Sequence, residues 1–210
     1  MTNLPDEYLK ALGPELGAIY QKLCDDVSWL HFKWKQYRIL FAESPERIDL
    51  LNGVAGTFFF LLQEVLHDDV LIHIARLTDR KDHGPGKENL SLLRLASAVK
   101  EKTPQISVEV DNLVKEAQEK ARFVEDWRDH RLAHTDLNLA LGRRATALPG
   151  IARDQVEGFL RSLRAVLNKI PNHFWDVGTS FENIYADRDG ESLVHYLKGA
   201  VDAKKRDSAV

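Results

Sequence analysis

One cysteine, Cys24, occurs in the 210 residues, so no internal disulfide can form, a usage that suits a reducing cytoplasm. Positive charge is not in excess either. Lys and Arg number 29 against 32 Asp and Glu, a net charge of -3, which argues against a protein that coats nucleic acid nonspecifically and leaves room for a local basic site. No uninterrupted apolar run approaches the ~20 residues of a membrane span; the longest, around Thr57–Leu62, is far shorter. Met1-Thr2-Asn3-Leu4-Pro5-Asp6-Glu7 has neither a basic start nor an apolar core, so no secretory signal is read there. Strand-like alternation, internal repeats and a Walker-type glycine loop are likewise missing. The expectation is a cytoplasmic protein without a membrane segment.

What is present is helical periodicity. Leu16, Tyr20, Leu23, Val27, Leu30, Trp34, Tyr37 and Phe41 fall at spacings of four and three, which predicts a helix over about 14–42 with Pro14 in its first turn. Ser44-Pro45-Glu46 reads as a cap, a first-turn proline and an acidic first turn. It opens a second long helix reaching about Asp79, whose Thr57–Leu62 stretch, apolar nearly all round, is expected to be the most buried element. Arg80–Lys87, with Gly84-Pro85-Gly86, is a loop. Shorter helices are predicted over about 89–102, from Thr103-Pro104 to about His134, over 152–169, and from about Glu191. An aromatic connector (Phe174, Trp175, Phe181, Tyr185) precedes the last helix. The fold class is therefore an all-α, single-domain helical bundle of five to six helices, two of them long. Its bounds are a lead-in over 1–13, the domain over 14–202 and a polar, frayed tail over 203–210.

The segment Arg128-Asp129-His130-Arg131-Leu132-Ala133-His134 puts two arginines and two histidines at the end of a helix. An arginine can hold a phosphate and a histidine can move a proton, the minimum needed to cut RNA without a metal. The spacing alone is weak, since an Arg followed by four to six residues and then a His recurs at Arg76 to His83 and at Arg188 to His195. Orientation says more. Val110, Leu113, Ala117, Ala121, Val124 and Trp127 share one face, and at about 100° per residue Arg128, Arg131 and His134 extend that apolar arc. Charges there need acidic groups, a second subunit or a ligand. On the second helix Asp69, His73, Arg76 and Arg80 recur at spacings of four, three and four. They form either a solvated ion-pair ladder or, through Asp69 or Asp79, a partner line for the motif arginines.

Other chemistries score lower. Glu64-Val65-Leu66-His67 is half of a di-iron signature without its second copy, and His67 and His73 face different sides of their helix, so no metal or cofactor is expected. Cys24 reads as a small core residue. Arg143-Arg144 lies in a second loop as a candidate RNA contact, although exposed arginine pairs are usually just solvated.

Arg128 to Asp136 resembles the Arg-polar-x4-His signature of HEPN domains, closest to the abortive-infection (AbiU-like) branch, where a Trp-Arg-polar-x-x-x-Ala-His-x-Asp motif ends a long helix as Trp127 to Asp136 does. Asp69 to Asp79 is similar to that branch's second helix, and the likeness covers about residues 14–170. Asp129 departs from the asparagine that many members carry after the arginine. The resemblance implies an all-α bundle that dimerises and brings two motifs into one cleft. It also implies metal-independent ribonuclease activity and, in some members, a nucleotidyltransferase antitoxin as partner. Carried onto this chain, Arg128 would hold the scissile phosphate and His134 would act as general base or acid, leaving a 2',3'-cyclic phosphate. Asp129 would orient one of them, and Arg131 would add a phosphate contact. The alternative is a non-catalytic helical module that dimerises and binds a nucleotide or a nucleotidyltransferase.

Overall fold

Prolines open three of the main helices, because a fixed φ and a missing N–H cost nothing in a first turn. The structure is a computed structural model that describes residues 6–82, 84, 86–129, 141, 150–183 and 188–207. Helices α1 (Asp6–Leu12), α2 (Pro14–Phe41), α3 (Pro45–Thr78), α4 (Leu92–Lys102) and α5 (Pro104–Lys120) come first. A 3-10 turn, Arg122–Val124, and the single turn α6 (Glu125–Trp127) follow, then α7 (Arg153–Trp175) and α8 (Gly190–Asp207). The described residues contain no strand, only an isolated bridge between Asp82 and Glu88. The fold class is all-α.

Local chemistry explains the boundaries. Ser44 Oγ accepts the Arg47 backbone N–H at 3.3 Å, the expected cap of α3. Ser91 Oγ accepts from Arg94 N at 3.4 Å, so α4 starts at Leu92 rather than at Asn89. Helix α7 does not stop near Lys169. It runs through Pro171 to Trp175 and ends on Asp176, whose φ of 52° is left-handed. Ile170 and Pro171 are buried, and that packing offsets the backbone bond the proline cannot make. Phe174 and Trp175 therefore belong to the last turn of a helix, not to a connector. In the same way α8 continues to Asp207, where a frayed tail was expected from residue 203.

The chain forms two compact units. The first comprises 1–30 and 71–181. Here α5 packs along α7 and α4 lies against α5, burying Leu95, Val99, Val110, Phe159, Leu163 and Leu167. Arg94 ties this unit's surface together through Glu15 at 2.6 Å and Glu88 at 3.5 Å. The second comprises 31–70 and 182–210, around Leu40, Leu51, Phe59 and Val194. Arg47 Nη1 donates to Ile39 O at 2.6 Å and pairs with Glu191 at 3.0 Å. Gly190 donates its N–H to Gln36 Oε1 at 2.8 Å, and a Cβ there would lie 2.9 Å from Ile39 Cγ2, so the helix start closes this tightly only on glycine.

The expectation that Thr57–Leu62 is the most buried stretch is overturned. Phe59 is buried, but Phe58 is 58%, Phe60 66%, Leu61 61% and Val65 55% exposed. Among the described residues of its unit, α3 packs through Leu51 and Phe59 against Leu40 of α2 and Val194 of α8. By length and composition alone α3 is also long and apolar enough to cross a membrane, which a search for unbroken apolar runs does not register.

Candidate functional site

The motif helix was expected to run unbroken to His134. Instead α5 ends at Lys120, and the Ala121 N–H is shared between Ala117 O at 3.0 Å and Gln118 O at 3.1 Å. That bifurcation tightens the chain into the 3-10 turn before α6. Residues 128 and 129 then take the wider π winding, a local irregularity that recurs at functional sites. Ala121 and Val124 are buried as the apolar arc predicts.

Arg128 does not follow them inward, because a wheel drawn for one continuous α-helix loses its phase at the 3-10 turn. Its side chain is 41% exposed and that of Asp129 56%. Arg128 Nε donates to Asp129 Oδ1 at 2.7 Å, which leaves the four Nη–H donors for other acceptors. The hydrogen bond to Asp129 is the chief cause that raises the guanidinium's pKa above its ordinary value; slight burial opposes it, and the charges of Asp129, Asp79 and Glu125 add to it. Arg128 is thus a permanent surface cation set among three carboxylates.

Asp79 is positioned by the end of α3. Its Oδ1 accepts from Arg80 N at 2.8 Å and its Oδ2 from Asn89 Nδ2 at 3.4 Å. Asn89 also closes the loop through Arg80 O at 2.9 Å and, by its own N–H, Lys81 O at 2.8 Å. Gln118 Nε2 donates to Thr78 O at 3.5 Å, which joins the last turn of α5 to the end of α3. The first unit therefore brings Asp79 and Arg128 into one electrostatic neighbourhood.

The rest of the polar line divides. Asp69 belongs to the second unit, where Lys33 Nζ holds it at 2.6 Å. His73 is half-buried and Arg76 exposed in the first unit. Arg131, His134, Arg143 and Arg144 lie outside the described residues. Among the described residues no group of three or more His, Cys, Asp or Glu side chains is placed to hold a metal, and Glu64-x-x-His67 is not completed by a second pair. The sequence reading missed Lys33 and Glu125. Glu125 was findable, since it precedes Arg128 by three residues on a helical turn.

Compared with known families, the chain matches the AbiU2 family of HEPN domains over residues 13–192. The chain belongs to that family. No curated protein and no solved structure matches it. Membership in the AbiU2 family suggests an abortive-infection defence protein, and it places Trp127, Arg128 and Asp129 of this HEPN domain inside the matched region.

Proposed function

We propose that this HEPN domain is a metal-independent endoribonuclease that acts in phage defence or in a toxin–antitoxin system. The observation that supports the reading is Arg128, a partly exposed arginine kept charged by its neighbours, with its Nη edge free of Asp129. A planar guanidinium with two parallel donors matches a phosphate. Arg128 would bind the scissile phosphate and stabilise the charge that develops on it. His134 would take the proton from the ribose 2'-hydroxyl as its oxygen attacks phosphorus. The 5'-oxygen leaves with a proton from the second copy's motif, and the product carries a 2',3'-cyclic phosphate. Two copies are required because one motif supplies one acid–base group. Arg131, Arg143 and Arg144 would add phosphate contacts along the RNA, and Asp129 would orient Arg128.

The test is cleavage of tRNA and mRNA in EDTA by wild type, Arg128→Ala and His134→Ala. Wild type should cut, and each variant should lose about a hundredfold or more in rate. Wild type that leaves every RNA intact would sink the reading.

The carboxylates around Arg128, which weaken its grip on a polyanion, favour over RNA cleavage a second reading, a non-catalytic module that dimerises and binds a nucleotide or a nucleotidyltransferase antitoxin. It predicts binding without cleavage, lost in Arg128→Ala.

A further inference from the structure

Helix α3 offers apolar side chains in more than one direction. Phe59 points inward, into the core of its own unit. At about 100° per residue Phe58 and Phe60 then project to either side of it, and Leu61 lies nearly opposite. All three are more than half exposed, so this turn of helix is open and apolar on three sides. From Leu50 to Gln63 no residue carries a charge. The 18-residue stretch of α3 with the composition of a membrane span is only 11% buried, whereas a core helix of that composition is covered nearly all round.

Positive charge lies beside this segment. Between α3 and α8 run two adjoining hollows of about 400 and 610 Å³, which share Gly53, Val201 and Lys205. The larger has Val54, Leu197 and Ala200 in its walls, and the charged residues in its lining are Lys204 and Lys205. Acidic Glu46, Asp49 and Asp202 line the smaller one, with Lys198. Glu46 and Asp49 stand two turns or more before Phe58 on α3. Arg206 joins the two lysines to make the last turn of α8 basic.

We infer that this part of α3 is a lipid contact. Phe58, Phe60 and Leu61 enter the acyl region of an anionic bilayer from one side, with Lys204 and Lys205 among the headgroups. Three observations choose lipid. First, a flat protein surface covers one side of a helix, whereas lipid chains cover three. Second, the lysines at the rim of the apolar hollow match anionic headgroups, each adding about fivefold to binding. Third, the dimensions fit one leaflet. The uncharged stretch of 14 residues is about 21 Å of helix, too short for about 30 Å of hydrocarbon, and Glu64 follows it. A helix of this kind lies about 5–10 Å deep in the interface, so the contact needs no span. It is independent of the nuclease reading, which RNA cleavage alone tests.

Flotation of the full chain with vesicles tests the proposal. Wild type should float with phosphatidylcholine–phosphatidylglycerol vesicles, and about tenfold less with phosphatidylcholine alone. Leu61→Asp, folded by circular dichroism, should bind at least about tenfold more weakly. A Lys204→Gln, Lys205→Gln double variant should lose about twentyfold on the anionic vesicles. A bimane label on Phe60→Cys should shift to the blue on those vesicles. The same label on Val108→Cys, 70% exposed in the other unit, should not shift, and native Cys24 is buried. The label keeps the test decisive if Leu61→Asp fails to fold. Absence of flotation, flotation undiminished by Leu61→Asp or by the lysine variant, or a Phe60→Cys label that shifts no more than the control overturns the proposal. So does a label that shifts without lipid in step with a doubling of mass by light scattering, because a second copy then covers the face.

Discussion

Arg128 and Asp129, adjacent in sequence, hold one another across 2.7 Å at the surface, Nε to Oδ1. The contact fixes the guanidinium plane while presenting its outer edge. An exposed pair of this kind adds little to stability, about 0–1 kcal/mol, so its value lies in orientation.

Asp129→Asn keeps a hydrogen-bond acceptor for Arg128 and removes the nearest negative charge. RNA affinity should rise severalfold, by about 1 kcal/mol, read as a lower Kd in a filter-binding titration at fixed salt. Weaker binding by the variant would show that the carboxylate's grip matters more than its charge.

Asp79 organises the loop after α3 as well as adding to the field at Arg128. In Asp79→Ala two hydrogen bonds are lost, and hydrogen exchange over 80–89 should quicken while the protection of α5 and α7 stays unchanged. A cost of about 1–2 kcal/mol is expected. Equal loosening of α7 would mean that Asp79 supports the whole unit.

Asn168 clasps the segment beyond α7 by two bonds, accepting from Thr179 N at 2.7 Å and donating to Thr179 O at 3.0 Å. Asn168→Ala should cost about 2 kcal/mol in urea unfolding. Asn168→Asp keeps the acceptor and loses the donor, so it should fall between wild type and alanine. A neutral alanine variant would show that water replaces both bonds.

Burial pushes the Cys24 thiol up from 9.0 to about 12 and raises the Tyr20 phenol well above 10.0, each also responding to the other. Below about pH 9 both groups are protonated in the folded and unfolded chain, and their contribution is fully present. As pH rises further the unfolded chain releases these protons first, so it binds fewer and stability falls, by up to about 1.4 kcal/mol per pH unit for each group. The urea midpoint of wild type should drop between pH 9 and 11, and that of a Tyr20→Phe, Cys24→Ala double variant should drop less steeply. Parallel curves would refute the assignment.

Helical periodicity and first-turn prolines were enough to locate the two long helices within a residue or two, because i, i+3, i+4 spacing and capping chemistry act within a few turns of chain. The motif around Arg128 was legible for the same reason, as neighbouring residue types. Its orientation was not. A bifurcated hydrogen bond at Ala121 and the 3-10 turn after it shift the phase of every residue downstream, and no composition signal marks that shift.

Burial lay further from the sequence still. Thr57–Leu62 has the composition of a core, and local chemistry alone makes it a helix of great hydrophobicity. Whether such a helix is covered depends on how many neighbours reach it, which is a property of the tertiary arrangement. The sequence by itself determined that the chain is helical and where its long helices begin. Only the tertiary structure decided that Asp69 answers to Lys33, that Asp79 acts on Arg128, and that Phe58, Leu61 and Val65 face outward, because each depends on contacts between residues far apart in the chain.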